Sequence, residues 1–348
     1  MFDKFFGKFS RDIGIDLGTS HTLIYVKDKG IVINEPSVVA INARTEQILS
    51  VGKEAREMVG KTPGHIIISR PLLHGIIADY EVTEKMLRYF IDRVHEESFT
   101  IIPRPRVIIC APLETTEVER KAIEDATLSA GAREVFLVEA PMAAAIGARM
   151  PIQEAVGNFI IDIGGGTTEV ATISLGGIVT WKSIQIAGEE MNRNIMQYAR
   201  DVFNLLIGER HAEKIKIQAG SALPLKESIT YPMRGRDLIT GLPKEVLVTD
   251  AQIRDALARS ITAIIEAIKA TLETTPPELV ADIHERGILL TGGGALLRGV
   301  DRVIAQATGI PVRMADDPLT CVVRGTGMLL DDETLLREVV LPSSREQE

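Results

Sequence analysis

One short stretch occurs twice in this chain, and that repeat constrains the fold more than any other feature. Asp12-Ile-Gly-Ile-Asp16-Leu-Gly18-Thr19 resembles Phe159-Ile-Ile-Asp162-Ile-Gly164-Gly165-Gly166-Thr167. Each copy is an apolar strand ending in Asp, then a Gly/Thr turn, then a β-branched strand, Leu23 to Val26 in the first and Val170 to Ile173 in the second. The two Asp are 146 positions apart (162 − 16) in a chain of 348 residues. At roughly 150 residues per domain, that is the signature of a duplicated half-molecule. The expected fold is α/β with two lobes facing each other, each offering a glycine turn to the space between.

The rest of the chain alternates short strands and helices. His21 to Val26 and Ile31 to Asn34 continue a strand meander, and Val107 to Cys110 and Val135 to Val138 read as buried strands. Val82, Leu87, Phe90, Ile91 and Val94 mark an amphipathic helix. Thr116 with Glu119 predicts a capping box, Gly131 a helix stop, and Pro141 a first helical turn. A long helix is expected over about Glu189 to Ile207, and Asp250 is the expected cap of a helix stopped by Pro276-Pro277.

The chemistry suggested by the turns is phosphate binding. Glycine turns expose consecutive backbone N–H groups because no Cβ blocks close approach. Gly18 with Thr19, Ser20 and His21, and Gly164, Gly165 and Gly166 with Thr167 and Thr168, are two such cradles. Asp16 and Asp162 would repel a phosphate directly; their positions make sense with Mg²⁺ between, held mostly through water. A third element, Ile288-Leu-Leu-Thr291-Gly292-Gly293-Gly294-Ala295, is a strand and a tight turn into a helix, suited to a nucleoside lying on backbone. No GxxxxGK[ST] occurs, and no glycine triplet has GxGxxG spacing after its strand.

Composition narrows the partners. Net charge is −9, which argues against nucleic acid, whose binding needs a basic face. Cys110 and Cys321 are too few for a disulfide scaffold or a cysteine metal site, and a reducing cytosol fits. Nine Phe occur in all, and Phe2, Phe5, Phe6 and Phe9 follow i, i+3, i+4, i+7, one stripe of a helix with Lys4, Lys8 and Arg11 off it. The stripe has no continuous apolar core of a secretory signal and is too short to span a bilayer. It fits a basic amphipathic helix lying in a membrane surface; a helix folded back on the core is the competing reading. Full burial of four Phe is worth roughly 6–12 kcal/mol gross, much of it lost to partial insertion and ordering. One copy should bind reversibly and many aligned copies well.

The set Asp16-Leu-Gly-Thr, Asp162-Ile-Gly-Gly-Gly-Thr and Thr291-Gly-Gly-Gly resembles the actin, Hsp70 and sugar-kinase ATPase superfamily. Within it, Asn34-Glu35-Pro36-Ser37, Gly60-Lys61-Thr62-Pro63, Glu139 to Gly147, Ile173-Ser-Leu-Gly176, Ile178-Val-Thr-Trp181 and Thr275-Pro276-Pro277-Glu278-Leu279 closely resemble the MreB family of bacterial actins, from Met1 to about Asp331. The resemblance implies a two-lobed actin-like ATPase fold, each lobe with a smaller inserted subdomain. Residues 1–11 would be the membrane helix; 12–32, 81–149 and 328–348 subdomain IA; 33–80 IB; 150–187 and 250–327 IIA; 188–249 IIB. It further implies ATP with Mg²⁺ as ligand, homopolymer filaments on the inner face of the cytoplasmic membrane, and membrane-embedded cell-elongation partners such as RodZ.

By the same resemblance, Ala212, Glu213, Lys214, Ile215 and Lys216 form the nucleoside segment, with the Glu213 carboxylate accepting from ribose hydroxyls; read alone, that charged run is a solvated helix face. Phe99, Ile101 and Ile102 stand where the family has an apolar membrane loop, although Phe99 reads equally as core, and Glu96 and Glu97 weaken attraction to anionic lipid. Val118, Ala122 and Asp125 would lie on a lateral filament face.

Two positions depart from the family pattern. His21 stands where an Asn is usual. Ala140 stands where the family carries the acid that orients the attacking water, and here the acid comes one residue earlier, at Glu139. In a helix one residue turns the side chain by about 100°. Slow hydrolysis is therefore expected, with Asp162, Thr167 and Glu139 as catalytic candidates. A small-molecule kinase of the same superfamily and a nucleotide-bound scaffold with little turnover remain alternatives; an Hsp70-like chaperone would need a long extra region.

Overall fold

The structure is a computed structural model of the chain and describes residues 10–96 and 104–342. Two compact units are present. One combines the chain up to Val156 with Ile173–Val179 and the part from Leu319 onward; the other combines Gly157–Thr172 and Thr180–Pro318.

The first unit opens with β1 (Ile13–Leu17), β2 (His21–Val26) and β3 (Gly30–Pro36). A small sheet of β4 (Val39–Asn42), β5 (Ile48–Val51) and β6 (Ile66–Ser69) follows, with α1 (Lys53–Met58) against it and a short hairpin of β7 (Leu72–Leu73) and β8 (Ile76–Ile77) after it. Then come α2 (Tyr80–His95), β9 (Arg106–Ala111), α3 (Glu117–Ser129), β10 (Glu134–Glu139) and α4 (Ala140–Gly147). The main sheet runs β10-β9-β1-β2-β3. Its first three strands are parallel, and β2 and β3 are antiparallel additions.

The second unit repeats that plan. Its elements are β11 (Asn158–Ile163), β12 (Thr168–Ser174) and β13 (Gly177–Ile184), of which Ile173–Val179 groups with the first unit, then α5 (Gly188–Phe203), β14 (Leu205–Leu206) and α6 (Glu209–Ala219). A hairpin of β15 (Thr230–Asp237) and β16 (Pro243–Thr249) leads to α7 (Asp250–Thr274), α8 (Pro277–Arg286) and β17 (Ile288–Thr291). A 3₁₀ turn at Gly293–Leu296, α9 (Val300–Thr308) and β18 (Val312–Met314) complete it. The main sheet runs β18-β17-β11-β12-β13, with β11, β17 and β18 parallel. Helices α10 (Cys321–Asp331) and α11 (Glu333–Val339) return to the first unit. The duplication inferred from two short motifs therefore extends over two five-stranded sheets of the same order.

Local chemistry explains most element ends. The Asp79 carboxylate accepts the Val82 N–H at 3.1 Å and starts α2, whose Val82, Met86, Leu87, Phe90, Ile91 and Val94 are buried. The Thr116/Glu119 capping box starts α3. Two expectations are corrected. Helix α7 is capped by Thr249 in a box with Gln252; Asp250 is instead used sideways, accepting from the Ser228 hydroxyl at 2.8 Å and the Ile229 N–H at 3.0 Å. Helix α5 stops at Phe203, because Asn204 takes the left-handed conformation (φ 50°) and Leu205 and Leu206 pair with Asp237 and Arg236.

Each unit has its own apolar core. Ile13, Ile15, Ile24, Phe90, Val107 and Ile109 belong to the first, and Phe159, Ile161, Met191, Ile215, Leu257 and Ile288 to the second. In the first unit α4 and α10 cross with backbone against backbone. A Cβ on Gly147 would stand 1.9 Å from the Cys321 carbonyl oxygen, and one on Gly325 1.8 Å from that of Ala143. Only glycine allows this approach. Gly325→Ala should therefore destabilise the protein by at least about 2–3 kcal/mol in chemical denaturation. Gly64→Ala, where a Cβ meets nothing within 4 Å, should stay within about 0.5 kcal/mol.

Candidate functional site

The sheets place the repeated motifs at the carboxyl ends of their parallel strands, where open α/β sheets bind ligands. In the first unit Ile15 is in register with Ile109, and Ala111 with Glu139. The ends of β1, β9 and β10 therefore share one edge. The β1–β2 turn is closed by the Gly18 N–H donating to the His21 carbonyl at 3.1 Å. A Cβ on Gly18 would lie 2.7 Å from that oxygen, so a side chain is excluded. The Ser37 hydroxyl donates to the Gly18 carbonyl at 2.6 Å, and the Ser37 N–H to the Ser20 carbonyl at 3.1 Å. Thr19 is buried, and its hydroxyl oxygen accepts the Gly75 N–H at 2.7 Å, leaving the hydroxyl proton to donate. Ser20, His21 and Asp16 are half-buried.

The second turn matches residue for residue. The Gly164 N–H donates to the Thr167 carbonyl at 2.9 Å. His21 thus occupies the place of Thr167, and Thr19 that of Gly165; the two Thr that look alike in sequence are not equivalent. Two further bonds run from the start of α5: the Gly188 N–H to the Gly164 carbonyl at 3.2 Å and the Glu189 N–H to the Gly165 carbonyl at 2.8 Å. Asp162 is in register with Thr291, whose hydroxyl donates to its Oδ1 at 3.0 Å. Asp162 retains some exposed surface, yet burial of its carboxyl pushes its pKa up to about 6, against the opposing pull of the Thr291 hydrogen bond. The third glycine element packs directly on this strand. Gly292 has φ 80°, and a Cβ there would meet the Ile163 carbonyl at 2.4 Å and Asp162 Oδ1 at 2.5 Å. A Cβ on Gly294 would stand 2.1 Å from Ile163 Cγ2. Gly293 is exposed and Ala295 buried, and the turn continues as 3₁₀ helix instead of entering α9 directly.

Helix α6 carries the expected nucleoside segment. Ala212 and Ile215 face the core, Lys214 is exposed, and Glu213 and Lys216 are half-buried. The Lys216 ammonium donates to the Gly188 carbonyl at 2.7 Å, which ties α6 to the Gly164–Gly165 turn. Its burial lowers its pKa to about 8, opposed by Glu213, Glu189 and Glu209. Sequence reading placed Lys216 in the segment but missed this anchor, as it missed Thr291 under Asp162 and Gly75 on Thr19. Parallel-strand register sets the Thr291–Asp162 pair, and tertiary packing between elements far apart in the chain sets the other two, so no local pattern signals any of them.

Glu139 ends β10 with extended backbone (φ −66°, ψ 134°), and Ala140 is the first residue of α4. The helical rotation of about 100° expected between them is corrected: the two belong to different elements. The Glu139 side chain makes no cap hydrogen bond to α4. Burial raises its pKa above the usual carboxylate value, and the Arg120 guanidinium opposes that rise.

Among the described residues no group of three or more His, Cys, Asp or Glu side chains could hold a metal, and no helix is long and apolar enough to cross a membrane. Phe2, Phe5, Phe6, Phe9, Phe99, Ile101 and Ile102 lie outside the described residues. Val118, by contrast, is described and 79% exposed.

Duplicated sheets with a glycine turn at each carboxyl edge define the class of the actin-like fold. The MamK double helical filament protein shows it at TM-score 0.78 and 21% identity over 93% of this chain and 99% of that one. A profile of the MreB/Mbl protein family matches residues 10–338, and the chain belongs to that family. It is 52% identical to the cell shape-determining protein MreB of Escherichia coli K12, over 95% of this chain and 96% of the relative. It is 50% identical to the cell shape-determining protein Mbl of Bacillus cereus, over 93% and 97%. The crystal structure of MreB5 of Spiroplasma citri bound to ADP superposes at TM-score 0.89 with 37% identity, over 95% and 98%.

The buried Asp162 carboxyl carries a testable stability term. Its pKa is raised from 3.8 to about 6, so the folded state binds more protons than the unfolded chain between those values, and stability falls as pH rises through that window. About two pH units correspond to roughly 2–3 kcal/mol. In nucleotide-free protein, urea unfolding should show this loss between about pH 4 and 6, and Asp162→Asn should flatten it.

Proposed function

We propose that this chain is a cell shape-determining cytoskeletal protein that binds ATP with Mg²⁺ at its glycine turns, assembles into filaments and attaches them to the inner face of the cytoplasmic membrane. The observation that carries this reading is the pair of equivalent turns, each closed by a glycine N–H at the carboxyl ends of the parallel strands of its sheet. Each turn by itself suits phosphate oxygens: a Cβ on Gly18 or Gly164 would crowd the carbonyl that closes its own turn, and Thr19 offers a neutral donor in the first. MreB5 of Spiroplasma citri, solved with ADP and with AMPPNP, supports a nucleotide ligand.

Asp16 and Asp162 would act on Mg²⁺ through water. That suits a site without a side-chain cage, since Mg²⁺ keeps several waters beside phosphate oxygens. The ion would neutralise charge on the phosphates. The chain's own groups do the rest: backbone N–H groups of the two turns hold the phosphates, Glu213 on the segment that includes Lys216 accepts from the ribose hydroxyls, and Gly292, Gly293 and Gly294 let the nucleoside lie on backbone.

Filament assembly and the division into subdomains IA, IB, IIA and IIB, with the boundaries given above, rest on family membership. So do the RodZ-type partners. Membrane attachment rests on the Phe2, Phe5, Phe6 and Phe9 stripe, with the Phe99, Ile101 and Ile102 loop as a second contact. The nucleotide-bound scaffold stays as a second reading because Ala140 has no group to orient water.

Phosphate release by polymerised protein tests hydrolysis. Ala140→Glu should raise it several-fold, because positioning the nucleophile is much of what an enzyme adds to phosphoryl transfer; a wild-type rate equal to that of an acid-bearing relative defeats the slow-hydrolysis reading. Sedimentation with liposomes and ATP tests assembly and attachment together. Deleting Met1–Ser10 should abolish lipid co-sedimentation while pelleting by polymerisation persists; lipid binding that survives the deletion shifts the anchor to the Phe99 loop.

A further inference from the structure

The second glycine turn is held from behind by a charged side chain. Gly188 opens α5; its N–H donates to the Gly164 carbonyl at 3.2 Å, and the Glu189 N–H donates to the Gly165 carbonyl at 2.8 Å. The Gly188 carbonyl in turn accepts from the Lys216 ammonium of α6 at 2.7 Å. A Cβ built on Gly188 would lie 3.3 Å from the Gly164 carbonyl oxygen, 3.3 Å from Lys216 Nζ and 3.7 Å from Gly165 Cα. Laid end to end, 3.3 Å and 3.7 Å keep Nζ within about 7 Å of Gly165 Cα, less than the screening length at physiological salt.

Without an anion, this is an unfavourable place for an ammonium. It sits at the amino end of α5, where the helix dipole favours negative charge. Burial opposes its charged form and lowers its pKa to about 8, although Glu213 and Glu209 on its own helix and Glu189 on α5 pull the other way. Helix α6 also carries Arg210 and Lys214, and the first turns of α5 carry Glu190 paired with Arg193. Of the other elements packed on α6, β15 brings Arg236 and Arg234, the latter paired with Glu245, and α7 brings Asp250, paired with Arg254. Arg298 closes the end of α6 on the Ile217 and Gly220 carbonyls, and Asp162 precedes the turn itself. A local rule broken in this way marks a functional position.

We propose that Lys216 is a positioning residue of the second turn: held on the Gly188 carbonyl, its ammonium fixes α5 against α6 and supplies a desolvated positive charge behind the turn, so that binding of a nucleotide's phosphates draws a proton onto this lysine. This rests on the nucleotide reading above. Lys216 acts through Gly188 and through its field, and its ammonium stays on the carbonyl. An anion at the turn favours the protonated form, so above about pH 8 the bound state holds more protons than the free state. Affinity for the nucleotide therefore falls as pH rises beyond that value.

The test is calorimetric titration of nucleotide-free, full-length protein with ADP and Mg²⁺ in buffers of different ionisation enthalpy, which counts protons taken up on binding. Wild-type affinity should fall about three- to ten-fold between about pH 7.5 and 9.5, with uptake of about half a proton per ADP near pH 8.5. Lys216→Arg keeps its charge throughout, so its affinity at about pH 7.5 should stay within about three-fold of wild type while the pH dependence and the proton uptake both vanish. Lys216→Met should lose both as well and bind about ten-fold more weakly at about pH 7.5. A purely structural side chain would change affinity without moving either proton readout. If Lys216→Met does not fold, wild type and Lys216→Arg decide the matter. Proton uptake that persists in Lys216→Arg, or that is absent from a wild type that binds ADP, overturns the proposal and leaves the nucleotide reading standing. Absence of ADP binding by wild type at every pH overturns both.

Discussion

One backbone hydrogen bond, made twice, organises the rest of this molecule. The Gly18 N–H reaches the carbonyl three residues on, and the Gly164 N–H does the same. Each bond closes a turn between a strand at the centre of a five-stranded sheet and its antiparallel neighbour. The closure commits one donor and one acceptor and leaves the intervening N–H groups at the sheet edge. A side chain at Gly18 would collide with the accepting oxygen, so the residue type and the turn are the same constraint seen from two sides. The surrounding elements are then built onto these turns: Ser37 and Gly75 onto the first, α5 and, through Lys216, α6 onto the second.

Equal backbones carry unequal side chains, and the inequality sets the electrostatics. Asp162 has Thr291 beside it, a hydroxyl that donates to the carboxylate. The second turn is backed by a lysine whose ammonium is spent on the Gly188 carbonyl; the first is backed by neutral Thr and Ser. The duplicated backbones thus carry different polar partners at equivalent positions.

The order of elements and the two turns were legible in the sequence because they depend on local signals: apolar runs, glycine clusters and the Thr116/Glu119 box. Errors fell where a side chain had two uses. Asp250 looked like a cap, but Thr249 with Gln252 makes a complete box one residue earlier and frees Asp250 for Ser228. Leu205 and Leu206 continue an apolar helical pattern, yet a left-handed Asn204 and strand pairing with Asp237 and Arg236 claim them. The equivalence of His21 with Thr167 was hidden as well. Matching letters aligns Thr19 with Thr167, whereas the hydrogen bonds count residues from Asp16 and Asp162.

The same distinction between pattern and geometry decides how Glu139 relates to Ala140. If α4 were free to turn about its axis, an acid one residue early could be carried into place by a small rotation. It is not free. Gly147 and Gly325 hold α4 against α10 with no room for a methyl group, and Pro141 to Gly147 are all buried. Glu139 moreover precedes the helix and takes its direction from β10 and its register with Ala111. An acid at 139 and an acid at 140 therefore approach the sheet edge from different elements, with different supports. The first stands at the end of β10 beside β9; the second would stand on the first turn of α4. Moving the acid by one position therefore changes which part of the unit carries the carboxylate, a strand end in register with β9 or the first turn of a helix locked against α10.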